Sequence, residues 1–342
     1  MATHSIKEVA RRAGVSLGTV SNVLNRPHKV TPATRRRVQQ VIEELGFIPN
    51  EAARRLRAGR SNTIGLLVID VANPFFTDVA RGVERLADEH GSMVMLCNSD
   101  EDPGREHRYL DQLEELRVLG VLITPVEGIS PRLEQLIERG TPVVLVDRST
   151  DHNRCSVAVD NVLGGRLAAS HLLEQGHRRI AFVGGHFALQ QVTDRHAGAA
   201  AAVAEVDGAE LVVLEATSLT VAEGRRAGER MAALPADERP TAAFCANDLL
   251  ALGVLQEMTR RELRVPADLA IVGYDDIDFA AAAAVPLSSV RQPREQLGRT
   301  ATELLLEEVE EQETHRHRRV MFEPELVVRD SSAAQRTVPD RA

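Results

Sequence analysis

The spacing of apolar residues and glycine across positions 5–25, S-I-K-E-V-A-R-R-A-G-V-S-L-G-T-V-S-N-V-L-N, leaves few folds open. Ile6, Val9, Ala10 and Ala13 recur at i, i+3, i+4 and i+7, the period of one helix face. Gly14 then stops that helix, and Ser16 opens a second as its N-cap. The second helix turns Val20, Val23 and Leu24 inward and leaves Leu17, Gly18, Ser21 and Asn22 outside. Two short helices joined by a glycine turn also occur as an ordinary packing unit. As a helix-turn-helix, the second helix would be placed to enter a major groove.

The next residues favour the second reading. After a linker, Thr31-Pro32 reads as an N-cap followed by proline at the first helical position. Val38, Val41, Ile42 and Leu45 give a third apolar stripe that Gly46 ends, and Pro49-Asn50 starts a fourth segment rich in alanine and arginine. The first 60 residues hold 12 Lys and Arg against four Glu, a net of +8, so a chain of net −9 carries −17 beyond them. A basic module on an acidic body is the electrostatic footprint of phosphate binding at one end only.

Beyond residue 62 the pattern alternates. Strand-like runs at 64–69, 93–96, 121–124, 143–146 and 157–159 are separated by helical stretches at 76–90, 105–116 and 131–139. It then starts again, with strands at 180–184, 211–214, 242–245 and 269–273 and helices at 164–175, 194–206, 222–234 and 248–260. Such alternation implies two parallel α/β lobes in tandem, with a cleft lined by the loops after the strands. A further charged helix with apolar Leu304, Leu305, Leu306 and Val309 is expected over 303–319.

The headpiece resembles the lactose-repressor (LacI/GalR) family almost without gaps. Q-G-H-R-R-I at 175–180 and P-A-D-L-A-I-V-G-Y-D-D at 266–276 extend the resemblance over nearly the whole chain. It implies an all-α helix-turn-helix headpiece with a hinge helix, followed by a two-lobed α/β body of periplasmic-binding-protein type I. The expected divisions are headpiece 1–48, hinge 49–60, body 61–330 and tail 331–342. In the body, 61–161 with 291–320 form one lobe and 162–290 with 321–330 the other, the chain crossing near 161, 291 and 320. The tail has no heptads, so the family's tetramer-forming coil is not expected and a homodimer on a palindromic operator is.

The resemblance carries Leu17, Gly18 and Asn22 to base-reading positions, and Ser16, Thr19, Ser21 and Asn25 to phosphate contacts. Ala53, Leu56 and Arg57 fall on the hinge face that meets the minor groove, Leu56 as a wedge. The chemistry fits: Asn22 can pair with an adenine edge, hydroxyls bond phosphates, and leucine can unstack a base step. Leu17 offers only apolar contact, so direct readout is expected to be sparse.

By position, the family's effector contacts fall on Asn73, Phe75, Phe76, Asp147, Arg148, Gln191, Arg195, Leu219, Asn247 and Asp275. Carboxylates, amides and an arginine fork suit sugar hydroxyls. Asn73, Asp147 and Asp248 could equally be helix N-caps. Leu219 stands where some relatives carry a stacking aromatic, and aromatics are only 3% of the chain. Stacking would then rest on Phe75, Phe76 or Phe187, which weighs against a purine or nucleoside and favours a smaller sugar.

Other chemistries find less support. Lys7 and Lys29 are the only lysines, both in the headpiece, and no glycine-rich phosphate loop occurs. That opposes a dehydrogenase, a sugar kinase or another cofactor-dependent enzyme. Cys97, Cys155 and Cys245 read as reduced core residues. No run of 18 apolar residues and no charged-then-apolar leader is present, so a cytoplasmic protein is expected, not an exported sugar-binding protein. His171, His177, His186, His196, His315 and His317 show no pair with metal-site spacing and cysteine or carboxylate support, so no metal is expected.

Overall fold

The computed structural model describes residues 5–25, 29–47, 61–150, 154–185, 187–311 and 314–333, and the chain divides into two units, 1–61 and 62–342. In the first, Ser5 accepts a hydrogen bond from the Glu8 N–H and opens helix α1 (Ile6–Ala13). Gly14 closes it at φ 64°, a left-handed conformation that costs glycine nothing. Ser16 Oγ accepts from the Thr19 N–H at 3.1 Å as α2 (Leu17–Asn25) begins. Thr31 caps α3 (Pro32–Leu45), which ends at Gly46. Val9, Ala10, Ala13, Val20, Val23, Val38, Val41, Ile42 and Leu45 share one core, and Leu24 is half-buried beside it. Phe47, which lies past the last helical stripe, also joins that core. The expected hinge residues Ala53, Leu56 and Arg57 lie outside the described residues.

The second unit contains two six-stranded sheets. One comprises β1 (Thr63–Val68), β2 (Met93–Asn98), β3 (Gly120–Ile123), β4 (Val143–Val146), β5 (Cys155–Val159) and β11 (Arg319–Phe322). Its order is β11-β5-β4-β3-β1-β2, parallel throughout. The other comprises β6 (Arg179–Val183), β7 (Glu210–Leu214), β8 (Ala242–Cys245), β9 (Ala270–Asp275), β10 (Ser288–Arg291) and β12 (Glu325–Val327). Its order is β12-β10-β9-β8-β6-β7, with β12 antiparallel to β10. Central strands such as β1, β4 and β8 are buried along their whole length, as sheets covered on both faces require. Helices α4 (Pro74–Glu89), α5 (Pro103–Glu115) and α6 (Pro131–Glu138) follow strands of the first sheet. Helices α7 (Asn161–Glu174), α8 (Gln190–Ala204), α9 (Val221–Ala233), α10 (Asp248–Arg260) and α11 (Asp278–Ala281) belong to the second. Helix α12 (Arg294–Glu311) returns to the first lobe.

The chain passes between the sheets after β5, after β10 and between β11 and β12. The third passage therefore lies at Glu323-Pro324, a few residues beyond the expected position. The helix expected over 303–319 is corrected more substantially. Leu297 and Ala301 extend its buried face upstream, it stops at Glu311, and residues 319–322 are an edge strand. Alternating burial in that strand leaves Arg319 and Met321 exposed, which disguised it as a continuation of the charged run. Cys97, Cys155 and Cys245 are buried and unpaired. Among the described residues no helix is long and apolar enough to cross a membrane.

Candidate functional site

Between the two sheets a cleft is lined by side chains from both lobes. Nine of the ten expected effector residues meet there: Asn73, Phe75, Phe76, Asp147, Gln191, Arg195, Leu219, Asn247 and Asp275. Arg148, the tenth, does not line it. It is half-buried, with its guanidinium against Gly128 and under the charge of Asp194 and Glu106.

The local sequence explains these positions. Asn73 is the N-cap of α4 and accepts from the Phe75 N–H at 3.0 Å, while its amide reaches Asp275 Oδ2 at 3.2 Å. Phe75 and Phe76 are buried edge-to-face, 4.9 Å apart, and so form one wall. Helix α8 starts at Gln190, four residues before the expected 194. Gln191 and Arg195 thereby fall at i and i+4 on one face. Asp147 is not a cap: it follows β4 at φ 54°, a region that favours glycine, and accepts from Gln191 Nε2 at 2.9 Å. Asn247 caps α10 instead of Asp248. Asp248 is fully buried and clasps the Ile277 N–H (2.9 Å) and Ser289 Oγ (2.7 Å), which fixes the end of β9.

The polar centre of the cleft is Asp275 with Arg195. Asp275, the last residue of β9, lies at φ 101° and accepts from Gln292 Nε2 at 2.7 Å. Arg195 Nη2 stands 3.8 Å from Asp275 Oδ1, donates to Asn161 Oδ1 (2.9 Å) and to the Ala246 carbonyl (2.7 Å), and stacks 3.7 Å over the Tyr274 ring. Asn161, Gln292 and Tyr274 hold these groups and were absent from the sequence-derived set. Tyr274 stands in the post-strand run Tyr274-Asp275-Asp276, which the sequence offers as ligand-binding, whereas Asn161 had no local clue because its partner Arg195 comes from another helix. Apolar Ile69, Leu189 and Val192 complete the wall, whereas Phe187 does not line it and rests against Phe182 and His196.

Burial dominates the electrostatics. It pushes the Asp147 carboxyl up to about 6, against the opposing pull of Arg195 and the Gln191 hydrogen bond. It raises Asp275 too, opposed by Arg195, Asn73 and Gln292. Asp147 Oδ1 and Gln292 Oε1 are buried acceptors with no protein partner. A desolvated acceptor left unpaired is costly, so Asp147, which lines the cleft, is suited to receive a hydroxyl donor from a small polar molecule. Asp147–Gln191 and Asn73–Asp275 bridge the two lobes, so a molecule held there would bias their separation.

In the headpiece, Ser16, Leu17 and Gly18 are exposed on α2, Leu17 at 45%, while Thr19, Ser21 and Asn22 are half-buried. Lys7, Arg11, Arg12, Lys29 and Arg35 to Arg37 are also exposed. Six residues expected to touch DNA thus share α2 and the turn before it.

Among the histidines, His171 bonds Ser332 Oγ and His177 bonds Thr241 Oγ1, both in ordinary packing roles. His315 and His317 differ. The premise that they lack cysteine or carboxylate support is corrected, since the fold brings Cys155 and Glu308 beside them.

Residues 5–50 match the family of bacterial regulatory proteins, lacI family, and residues 169–332 match a periplasmic binding protein-like domain. An HTH-type transcriptional repressor PurR of Aliivibrio fischeri is 37% identical over 335 residues, covering 96% of this chain and 98% of that protein. The structure of the lac repressor dimer bound to operator and the anti-inducer ONPF is similar with a TM-score of 0.86 at 26% identity, covering 97% of this chain and all of that one. A transcriptional regulator CelR–cellobiose complex is similar with a TM-score of 0.69 at 32% identity, covering 96% of this chain and 99% of that one.

Proposed function

The chain belongs to the lacI family and is a DNA-binding transcriptional repressor, not an enzyme, and we propose that a small sugar in the interlobe cleft controls its operator affinity. The observation that carries the proposal is the pair of buried carboxylates, Asp147 and Asp275, that line one cavity with Arg195, Asp147 keeping an unpartnered acceptor oxygen. Paired hydroxyls satisfy such groups, whereas a flat base would need stacking faces. Leu219 offers none, and the two phenylalanines present only one corner. The cellobiose bound by the CelR relative agrees with this choice of ligand class. The test is a thermal-shift screen of the full chain against mono- and disaccharides, followed by operator affinity with and without each hit. If no sugar shifted both, the effector reading would fail.

A pH dependence follows from Asp147. A sugar hydroxyl donating to its carboxylate favours the ionised form, so binding lowers the pKa and releases a proton. The sign is therefore fixed: effector affinity is level above the raised pKa and falls as pH drops below about 6, by at most about tenfold per pH unit. Asp147→Asn should flatten the profile. Calorimetry from pH 5 to 8 decides the matter, an unchanged profile in the variant placing the titration elsewhere.

On the DNA side we assign Leu17, Gly18 and Asn22 to base edges and Ser16, Thr19, Ser21 and Asn25 to phosphates, with Ala53, Leu56 and Arg57 in the minor groove. Asn22→Ala should then cost about 1–3 kcal/mol at one base pair of each half-site. The salt dependence should stay unchanged because no phosphate charge is lost. Gel-shift titration of single-base operator variants checks this, and a uniform loss across all sequences would refute it. A homodimer on a palindrome fits the edge strand β2, where Met93, Met95 and Leu96 are exposed, an unusual amount of apolar surface for an unpaired edge.

A further inference from the structure

We propose that Cys155, Glu308, His315 and His317 form a binding site for a zinc-type transition-metal ion, separate from the effector cleft. The four ligand atoms lie within 4.8 Å of one another. Cys155 Sγ stands 3.1 Å from His315 Nε2 and 3.7 Å from His317 Nδ1. Tetrahedral zinc with ordinary Zn–S and Zn–N bonds places sulfur and nitrogen about 3.6 Å apart, a separation these two distances bracket. The donor set of one thiolate, two imidazoles and one carboxylate matches that ion in softness, number and charge.

Two features distinguish the cluster from accidental packing. A thiol has one proton and can donate to only one imidazole, yet two rings converge on this sulfur and the Arg318 N–H also points at it from 3.5 Å. A sulfur so surrounded is placed as an acceptor or ligand. Glu308 Oε2, on the same side, is buried and has no hydrogen-bond partner. A cation held by all four groups satisfies both at once. Arg154 acts electrostatically on both Glu308 and His317.

Backbone pairing builds the site. Strand β11 lies parallel to β5 with Arg319 opposite Ser156, and the Ser156 N–H donates to the Arg318 carbonyl at 3.0 Å. That register sets His317 beside Cys155, and the two-residue repeat of an extended chain puts His315 on the same side. Glu308 arrives from the last turn of α12. All four gather at the amino end of β5. The effector cleft lies at the carboxyl ends of the parallel strands, so the two sites occupy opposite ends of one sheet.

Cobalt titration of the full chain tests this, because zinc itself is spectroscopically silent. The protein is reduced with a phosphine, stripped with chelator and titrated with Co²⁺. One equivalent per chain should give the intense visible bands of tetrahedral cobalt with a thiolate charge-transfer band, and Zn²⁺ should erase both. Cys155→Ser should remove the thiolate band. His317→Ala, a change in an extended surface segment, should weaken Co²⁺ by more than the ~10–100-fold typical of losing an outer-shell partner. Operator binding by the same His317→Ala protein verifies that it is folded. Absence of a saturable site in the wild type would overturn the assignment, as would cobalt binding that survives unchanged in both variants.

Discussion

Gly165→Ala is expected to destabilise the body by about 3 kcal/mol, the upper end of overpacking costs, and to displace Arg195 with it. A methyl at Gly165 would lie 1.9 Å from the Arg195 carbonyl oxygen, and one at Gly198 would lie 1.9 Å from that of Val162. Both obstacles are backbone, so α7 and α8 would have to separate. The same reciprocal contact joins α4 to α12 through Gly82 and Gly298, and α9 to α10 through Gly224 and Gly253. Glycine-to-alanine changes inside exposed helices ordinarily stabilise by up to about 1 kcal/mol, so here the sign itself is diagnostic. Urea denaturation gives the answer. A midpoint equal to or above the wild type would mean that the two helices do not touch. Because the Asn161–Arg195 bond spans this crossing, the variant should also lose effector affinity out of proportion to its stability.

Asp275→Ala is expected to abolish the effector response while leaving the operator affinity of the unliganded protein nearly intact. Asp275 gathers Asn73, Gln292 and Arg195, so it joins both lobes and the crossing between them. A sugar that bridges the lobes shifts an equilibrium also felt by DNA, with a coupling of about 1–3 kcal/mol that must be reciprocal. Removing the carboxylate takes away the differential contact without touching the headpiece. Operator titrations with and without the identified sugar, in wild type and variant, measure the loss. Asp275→Asn keeps the side chain's shape and tests whether charge or size matters. A variant that still responded fully would exclude Asp275 from the site and discredit the pocket assigned with it.

Much of this molecule is legible from local rules. The caps at Ser16 and Thr31, the stops at Gly14 and Gly46 and the apolar stripes between them define the headpiece, because each depends on residues at most one or two turns apart. The parallel lobes are legible for a similar reason, since buried strands must be continuous apolar runs. Most of the cleft residues were reachable through family resemblance and the rule that ligands sit beyond strand ends. Arg148 shows the limit: the family position that places it among the effector contacts does not put it in the cavity, since successive residues after a strand point in different directions.

What tertiary structure alone decided are the meetings between distant residues. Nothing local to Asn161 or Gln292 says that they hold Arg195 and Asp275, and nothing local to six glycines says that three pairs of helices will touch through their backbones. The histidines make the point most sharply. In sequence, 315–317 is a charged stretch 160 residues from its cysteine, and only the ending of α12 at Glu311 and the register of β11 on β5 bring them together. Periodicity encodes which face of an element is buried. It carries no information about which other face will be buried against it, because that is set by the packing of the whole chain.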